Sequence, residues 1–286
     1  MSLVKRLIAF VVTAGVTVLA GGGAALATTP ATGQPKPWEI ALQPGATPVM
    51  DDIIWFHDFL LWIIGAIALF VLSLLVIVIV RFNSRSNPVP SRTTHNTMIE
   101  VIWTVVPVLI LVAIAVPSFR LLFYELKIPK ADITVKAIGH QWYWSYSYPD
   151  QKFEFSSLML QDKDLKAGQP RLLAVDNDMV VPVNKVVRVL VTGADVIHSF
   201  SVPSFGIKID AIPGRMNETW FKAEHTGMYY GQCSQLCGRD HAFMPIAIHV
   251  VTEKQYMAWL AQAKKKYAST EDVTQPTAVA SAAPLE

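Results

Sequence analysis

Cys233, Cys237, His241 and Met244 stand in one short stretch of a 286-residue chain, spaced C-x3-C-x3-H-x2-M. Thiolate, imidazole and thioether together select copper, and a blue-copper electron-transfer site uses one cysteine, two histidines and a weak axial methionine. Here there are two cysteines and only one histidine in the loop. A second imidazole must come from elsewhere, and His198, on a β-rich run over 196–202, is well placed for it. Two thiolates can each bridge two metal ions, so the set suits a dinuclear copper centre. Bridging spreads a transferred electron over both ions and keeps the geometric change on reduction small. Nothing in the loop resembles acid–base or nucleophilic machinery.

Two other chemistries use the same residue types. Two cysteines in an oxidising compartment can simply pair as a disulfide. A structural zinc site of two Cys and two His is a further alternative, which leaves Met244 idle. A membrane-tethered copper chaperone or thiol reductase can also carry C-x3-C. That class predicts a single anchor helix, an α/β pattern and a histidine far from the cysteines. The chain also lacks C-x-x-C-H, the signature of covalently attached haem, so no haem is expected on it.

The elements that must position these residues follow from composition. The chain is 52% hydrophobic and only 16% charged. This is well short of the usual charge content; it excludes a disordered chain or a collagen-like fibre and speaks against a fully water-soluble enzyme. A net charge of +2 without a basic cluster gives no reason to expect nucleic acid as a partner. Two cysteines exclude a disulfide-dense scaffold.

Residues 1–27 read as a cleaved secretory signal, with Lys5 and Arg6 before an apolar run and Ala25-Leu26-Ala27 at its end. Residues 28–52 then form an N-terminal segment on the outer side. The uncharged runs 59–80 and 101–119 are each long enough to cross a hydrocarbon core about 30 Å thick. They predict a transmembrane hairpin over 53–123, with helices at about 55–81 and 98–122. The loop between them carries Arg81, Arg85 and Arg92 and no acid, so it stays cytoplasmic and both termini lie outside.

From 131 to 267 the pattern changes to short β-rich runs punctuated by turn residues, at 132–138, 141–148, 171–175, 185–191, 196–202, 207–210, 218–222, 228–230 and 246–251. Such spacing predicts an all-β sandwich or barrel. A closing helix spans 252–267 with Thr252 as its N-cap, and the Ala/Pro-rich 268–286 reads as a disordered tail.

The sequence closely resembles cytochrome c oxidase subunit II. The cysteine loop looks like that family's copper-A motif, and Gly139-His-Gln-Trp-Tyr-Trp-Ser-Tyr146 looks like its aromatic segment. Asp195-Val-Ile-His-Ser-Phe200, 205–215 and Glu100-Val-Ile-Trp-Thr104 match as well, so the resemblance covers about 46–267. It implies a two-helix hairpin carrying a cupredoxin-like domain on the outer face of the membrane. The cleavable signal suits a bacterial inner membrane.

The resemblance implies that the chain passes electrons from cytochrome c to haem a of subunit I. Subunit I, with haem a, haem a3 and copper B, would reduce oxygen to water with proton pumping, and subunit III would complete the partners. A quinol-oxidising relative would lack the copper ligands, which are all present here. Carried over by position, His198, Cys233, Cys237, His241 and Met244 are side-chain copper ligands and Gln235 gives its backbone carbonyl. The family usually has glutamate at 235, whose carboxylate also holds magnesium at the boundary with subunit I. The neutral amide of Gln235 is a poorer ligand for a hard cation, which implies a weakened magnesium site. Trp142 is implied to receive the electron, and Glu100 to open a proton route.

Docking of a basic cytochrome calls for acidic groups. The domain from 132 to 265 holds 13 acidic and 14 basic residues, so any acidic patch is local. Asp150, Glu154, Asp176, Asp178 and Asp195 are the candidates; Ser147 stands where the family often has an acid.

Overall fold

The computed structural model describes residues 33–267; the signal reading of 1–27 and the tail at 268–286 lie outside the described residues. Two long apolar helices come first, α1 (Pro48–Arg81) and α2 (Thr97–Leu126). Thr47 caps α1 by accepting the Met50 amide at 3.1 Å, which explains why the helix starts earlier than its uncharged run. At 34 residues α1 rises about 50 Å, more than a hydrocarbon core needs, so one end projects beyond the bilayer. No side chain of α2 is buried within the chain, as befits a surface that faces lipid or another subunit.

The β domain is built from β1 (Ile133–His140), β2 (Tyr143–Tyr148), β3 (Phe153–Ser157), β4 (Met179–Pro182), β5 (Val186–Gly193), β6 (His198–Val202), β7 (Ile207–Ala211), β8 (Asn217–Lys222), β9 (Gly227–Cys233) and β10 (Pro245–Val251). They form two five-stranded sheets, in the orders β3-β2-β1-β5-β8 and β4-β10-β9-β6-β7. Burial alternates along β1 and β5, as it must where one face of a sheet meets a core and the other meets water. The buried faces meet around Tyr146, Tyr148, Phe200 and Phe221. Helix α3 (Glu253–Tyr267) closes one end, with Trp259 against Tyr148 and Phe153. Its start is a capping box: the Thr252 amide donates to Gln255 Oε1 at 3.0 Å, and the Gln255 amide donates to Thr252 Oγ1 at 3.4 Å.

Three expectations change. The run 171–175 is a turn rather than a strand: Leu172 has a φ of 66°, and the amides of Leu173 and Ala174 fold back on the Pro170 carbonyl. Strands β3 and β4 were not expected, because one is a short alternating run and the other a brief apolar run beside Asn177 and Asp178. The strand expected over 141–148 is interrupted at its start. Gln141 and Trp142 form the two-residue turn between β1 and β2, which puts Trp142 at the tip of a hairpin.

The hairpin and the β domain are stitched together near the membrane. Thr47 Oγ1 donates to the Phe205 carbonyl at 2.8 Å. Trp220 Nε1 of β8 donates to the Glu125 carbonyl at 3.1 Å, and its ring meets Tyr124 edge-on at 5.5 Å. Both contacts set the β domain against the helix ends on one side of the bilayer.

Candidate metal centre

Three consecutive structural events bring the donors together. Strand β9 ends at Cys233; the loop beyond it carries Cys237; a short helical turn at His241–Phe243 precedes Met244, and β10 begins at Pro245. The fifth donor arrives from the neighbouring strand, since Phe200 of β6 pairs with Cys233 and His198 lies two residues earlier. His198 also presses on β1: a Cβ on Gly139 would lie 2.8 Å from His198 Cδ2, so only glycine lets the imidazole approach this closely.

The donors converge. Cys233 Sγ and Cys237 Sγ are 3.8 Å apart, and both cysteines are free, so the disulfide alternative does not describe this pair. His198 Nδ1 lies 3.9 Å from Cys233 Sγ, and His241 Nδ1 lies 3.5 Å from Cys237 Sγ. Met244 Sδ is 3.6 Å from Cys237 Sγ, so the thioether joins the set and is not idle as the zinc alternative requires. The Gln235 carbonyl faces Cys233 Sγ at 3.3 Å, while the residue itself is exposed. His198 and Met244 are buried almost completely, and His241 is half-buried. The donor atoms of His198, Cys233 and Cys237 lie within 4.8 Å of one another.

Charge makes the same demand as geometry. Burial raises both thiols. At Cys233, hydrogen bonds to His198 and to the backbone of Gln235 and Ser199 outweigh burial, and the thiol falls below its ordinary value. At Cys237 the charge on Cys233 adds to burial and pushes that thiol up. The charge of one sulfur thus opposes ionisation of the other, and both can be thiolates together only with a cation beside them. Sulfurs 3.8 Å apart are close enough to share a metal ion.

A family model for the transmembrane domain of cytochrome c oxidase subunit II matches residues 35–121, and one for its periplasmic domain matches 133–251. The chain belongs to this family. A probable cytochrome c oxidase subunit 2 of Rickettsia bellii is 55% identical over 240 residues, covering 84% of this chain and 89% of that protein. The subunit 2 of Cereibacter sphaeroides is 48% identical over 250 residues, covering 81% and 82%. The crystallised periplasmic domain of subunit II of cytochrome oxidase from Bradyrhizobium japonicum is 70% identical over 49% of this chain and 99% of its own, with a TM-score of 0.47.

As a cytochrome c oxidase subunit II, the chain is part of a respiratory oxidoreductase complex, anchored by two membrane-spanning helices. The group of His198, Cys233 and Cys237 fits the copper-A site of this family of electron-transferring oxidase subunits.

The surroundings of the subunit II donors hold residues that spacing did not reveal. Asp195 Oδ1 accepts His198 Nε2 at 2.8 Å and the Val196 amide at 2.6 Å, while Oδ2 accepts the Gln141 amide at 2.7 Å. Burial disfavours this carboxylate, but His198 and the two amides outweigh that and hold it below its ordinary range. The Cys237 carbonyl accepts both Trp142 Nε1 and Gln141 Nε2, each at 3.1 Å. Trp144 Nε1 donates to the Met244 carbonyl at 3.2 Å and fixes the far end of the loop. The sequence placed Asp195 in the Asp195–Phe200 match and among the docking acids, but did not pair it with His198.

The remaining expected residues are dispersed. Glu100 lies in the first turn of α2, where its Oε1 accepts the Asn96 amide at 3.3 Å while Asn96 Oδ1 accepts from Ile99 at 3.2 Å, a reciprocal helix cap. Of the five acids expected at a docking patch, Asp195 is engaged by His198. Asp176 accepts the Leu158 amide at 2.7 Å, and Glu154 accepts Ser145 Oγ at 3.2 Å. Asp178 is half-buried near α3, and Asp150 is exposed in the turn after β2.

Proposed function

We propose that this chain receives electrons one at a time from a c-type cytochrome at Trp142 and delivers them to haem a of subunit I, with subunit III completing the complex. The observation that carries this reading is the Trp142 Nε1 hydrogen bond to the carbonyl of Cys237, 3.1 Å long. It joins a half-buried ring at a hairpin tip directly to the backbone of a copper ligand. An electron crossing that ring meets one hydrogen bond and a few covalent bonds before the Cys237 sulfur. Gln141, bonded to the same carbonyl, holds the tip in place.

In this reading His198, Cys233, Cys237, His241 and Met244, with the Gln235 carbonyl, hold the copper pair. When bound, that pair supplies a one-electron carrier whose charge is shared by two ions. The protein's own part is to fix the donors before metal arrives, so that little reorganises when an electron comes or goes. Asp195 orients His198, and Trp144 anchors the carbonyl of Met244. No haem belongs to this chain in this reading. Gln235 stands where the magnesium ligand of the family is expected, and its amide supports that ion weakly. Glu100 delivers protons from the cytoplasmic end of α2, in addition to capping it.

The two-pass arrangement belongs in a bacterial inner membrane with both termini in the periplasm, supported by the arginines at 81, 85 and 92 in the connecting loop. Replacing Trp142 by Phe tests the electron path. Rapid-mixing reduction of the oxidase by cytochrome c should slow by more than an order of magnitude, with copper content unchanged. Reduction at the wild-type rate would remove Trp142 from the path.

A further inference from the structure

Two helix ends hold the β domain through their own unpaired groups. The last four carbonyls of a helix have no partner within it. At the end of α2 the Lys127 amide donates to the Phe123 carbonyl at 3.2 Å, and Trp220 Nε1 donates to the Glu125 carbonyl at 3.1 Å. At the start of α1 the capping residue serves the same end: Thr47 Oγ1 accepts the Met50 amide and donates to the Phe205 carbonyl at 2.8 Å. Beside that clasp Gly206, with a φ of +71°, lets the chain run close against α1. A Cβ there would lie 2.7 Å from Ile53 Cδ1 and 3.2 Å from Met50 Cα.

The two clasps hold different sheets. Phe205 leads into β7, which pairs with β6, the strand that begins at His198. Trp220 lies on β8, which pairs with β5; β5 pairs in turn with β1, whose Gly139 lies against His198. The joint itself is not filled. A cleft of about 440 Å³ borders both clasps, reaching from Val49 and Gly206 beside the first to Glu125 and Trp220 at the second. Domains joined without a large, well-packed interface move relative to each other by default. The tilt of this domain therefore rests on the few groups that bridge the cleft. Trp220 is one of them, buried and with its ring edge-on to Tyr124 at 5.5 Å. Strand β6 climbs about 3.4 Å per residue away from the joint, so a small tilt there becomes a larger displacement at His198.

We propose that Trp220 is a positioning residue for electron exit. Bound to the Glu125 carbonyl, it fixes the tilt of the β domain over the membrane, and with it the separation between the copper donors and the next electron acceptor. The inference rests on the reading that electrons leave for haem a of subunit I. Electron transfer falls off exponentially with separation, so a misplacement of about 1 Å caused far from the reacting centres is felt in the rate.

The test compares the whole oxidase carrying Trp220→Phe with wild type. The substitution keeps a ring beside Tyr124 and removes the N–H donor. With copper reduced by a light pulse, transfer from copper to haem a should slow several-fold. Reduction of copper by cytochrome c and the copper spin resonance should keep their wild-type values, which a general loss of structure would not allow. In oriented membrane multilayers, the copper resonance of the variant should depend less sharply on the angle to the field. A wild-type rate of transfer to haem a would overturn the proposal, and so would an angular dependence equal to wild type. If wild-type copper passes no electron to haem a while the variant still loses its angular dependence, the reading of the acceptor fails and the hold of Trp220 on the domain stands.

Discussion

Asp195 and His198 are joined by a 2.8 Å hydrogen bond from the imidazole Nε2 to the carboxylate. The consequence is a fixed tautomer. With the proton on Nε2, Nδ1 is free and faces Cys233 Sγ at 3.9 Å, ready to bind metal. The other Asp195 oxygen holds the Gln141 amide, so one carboxylate ties His198 to the hairpin tip that carries Trp142.

Asp195→Asn should therefore weaken copper binding by about 10- to 100-fold, the usual cost of losing such an orienting partner. Competition with a copper chelator measures this on the purified chain. Retention equal to wild type would show that the strand alone orients His198.

Gly139→Ala addresses the same imidazole from its other side. The new methyl would lie 2.8 Å from His198 Cδ2, and the residue sits in a central strand paired on both sides. The substitution should destabilise the domain by about 1–3 kcal/mol, as overpacking does, and alter the copper spectrum. An unchanged melting temperature together with an unchanged spectrum would contradict this packing.

Gln235→Glu restores a charged oxygen donor at an exposed position while leaving the backbone carbonyl in place. Manganese, used as a spin probe for the magnesium site of the assembled oxidase, should bind more tightly, and copper content should not change. Equal manganese affinity in the two proteins would place that site away from position 235.

Asp178 supplies a pH dependence away from the copper. Burial, helped by the charge of Asp176, raises its carboxyl from 3.8 to about 6. The folded state then holds a proton that the unfolded state has released between those values, so stability falls as pH rises through that window. Asp178→Asn should remove this fall and stabilise the chain at pH 7 by about 1 kcal/mol, allowing for the group's partial exposure to water. Denaturation of both proteins at pH 4 and pH 7 measures it; an equal pH dependence in the two would refute the assignment.

The sequence was most informative where chemistry is local. Cys233, Cys237, His241 and Met244 share one loop, so their spacing pointed to a metal site, and His198 on the run 196–202 was singled out as the second imidazole; the structure brings these side chains together. Asp195 was read as a member of the Asp195–Phe200 match and as a docking acid, because its hydrogen bond to Gln141 joins segments 54 residues apart. Composition suggested a strand from 141, yet Trp142 sits in the turn, where its indole can turn toward the Cys237 carbonyl. The run 171–175 misled because its apolar residues follow Pro170, which starts a tight turn. Strand β4 was missed because four buried residues offer no alternation to read.

The most direct measurement is copper stoichiometry with electron spin resonance on the full chain, purified in detergent and loaded with copper. Convergent donors around two sulfurs 3.8 Å apart predict two coppers per chain sharing one unpaired electron. One copper with a localised spin, or none with Cys233 and Cys237 joined as a disulfide, would contradict the dinuclear centre.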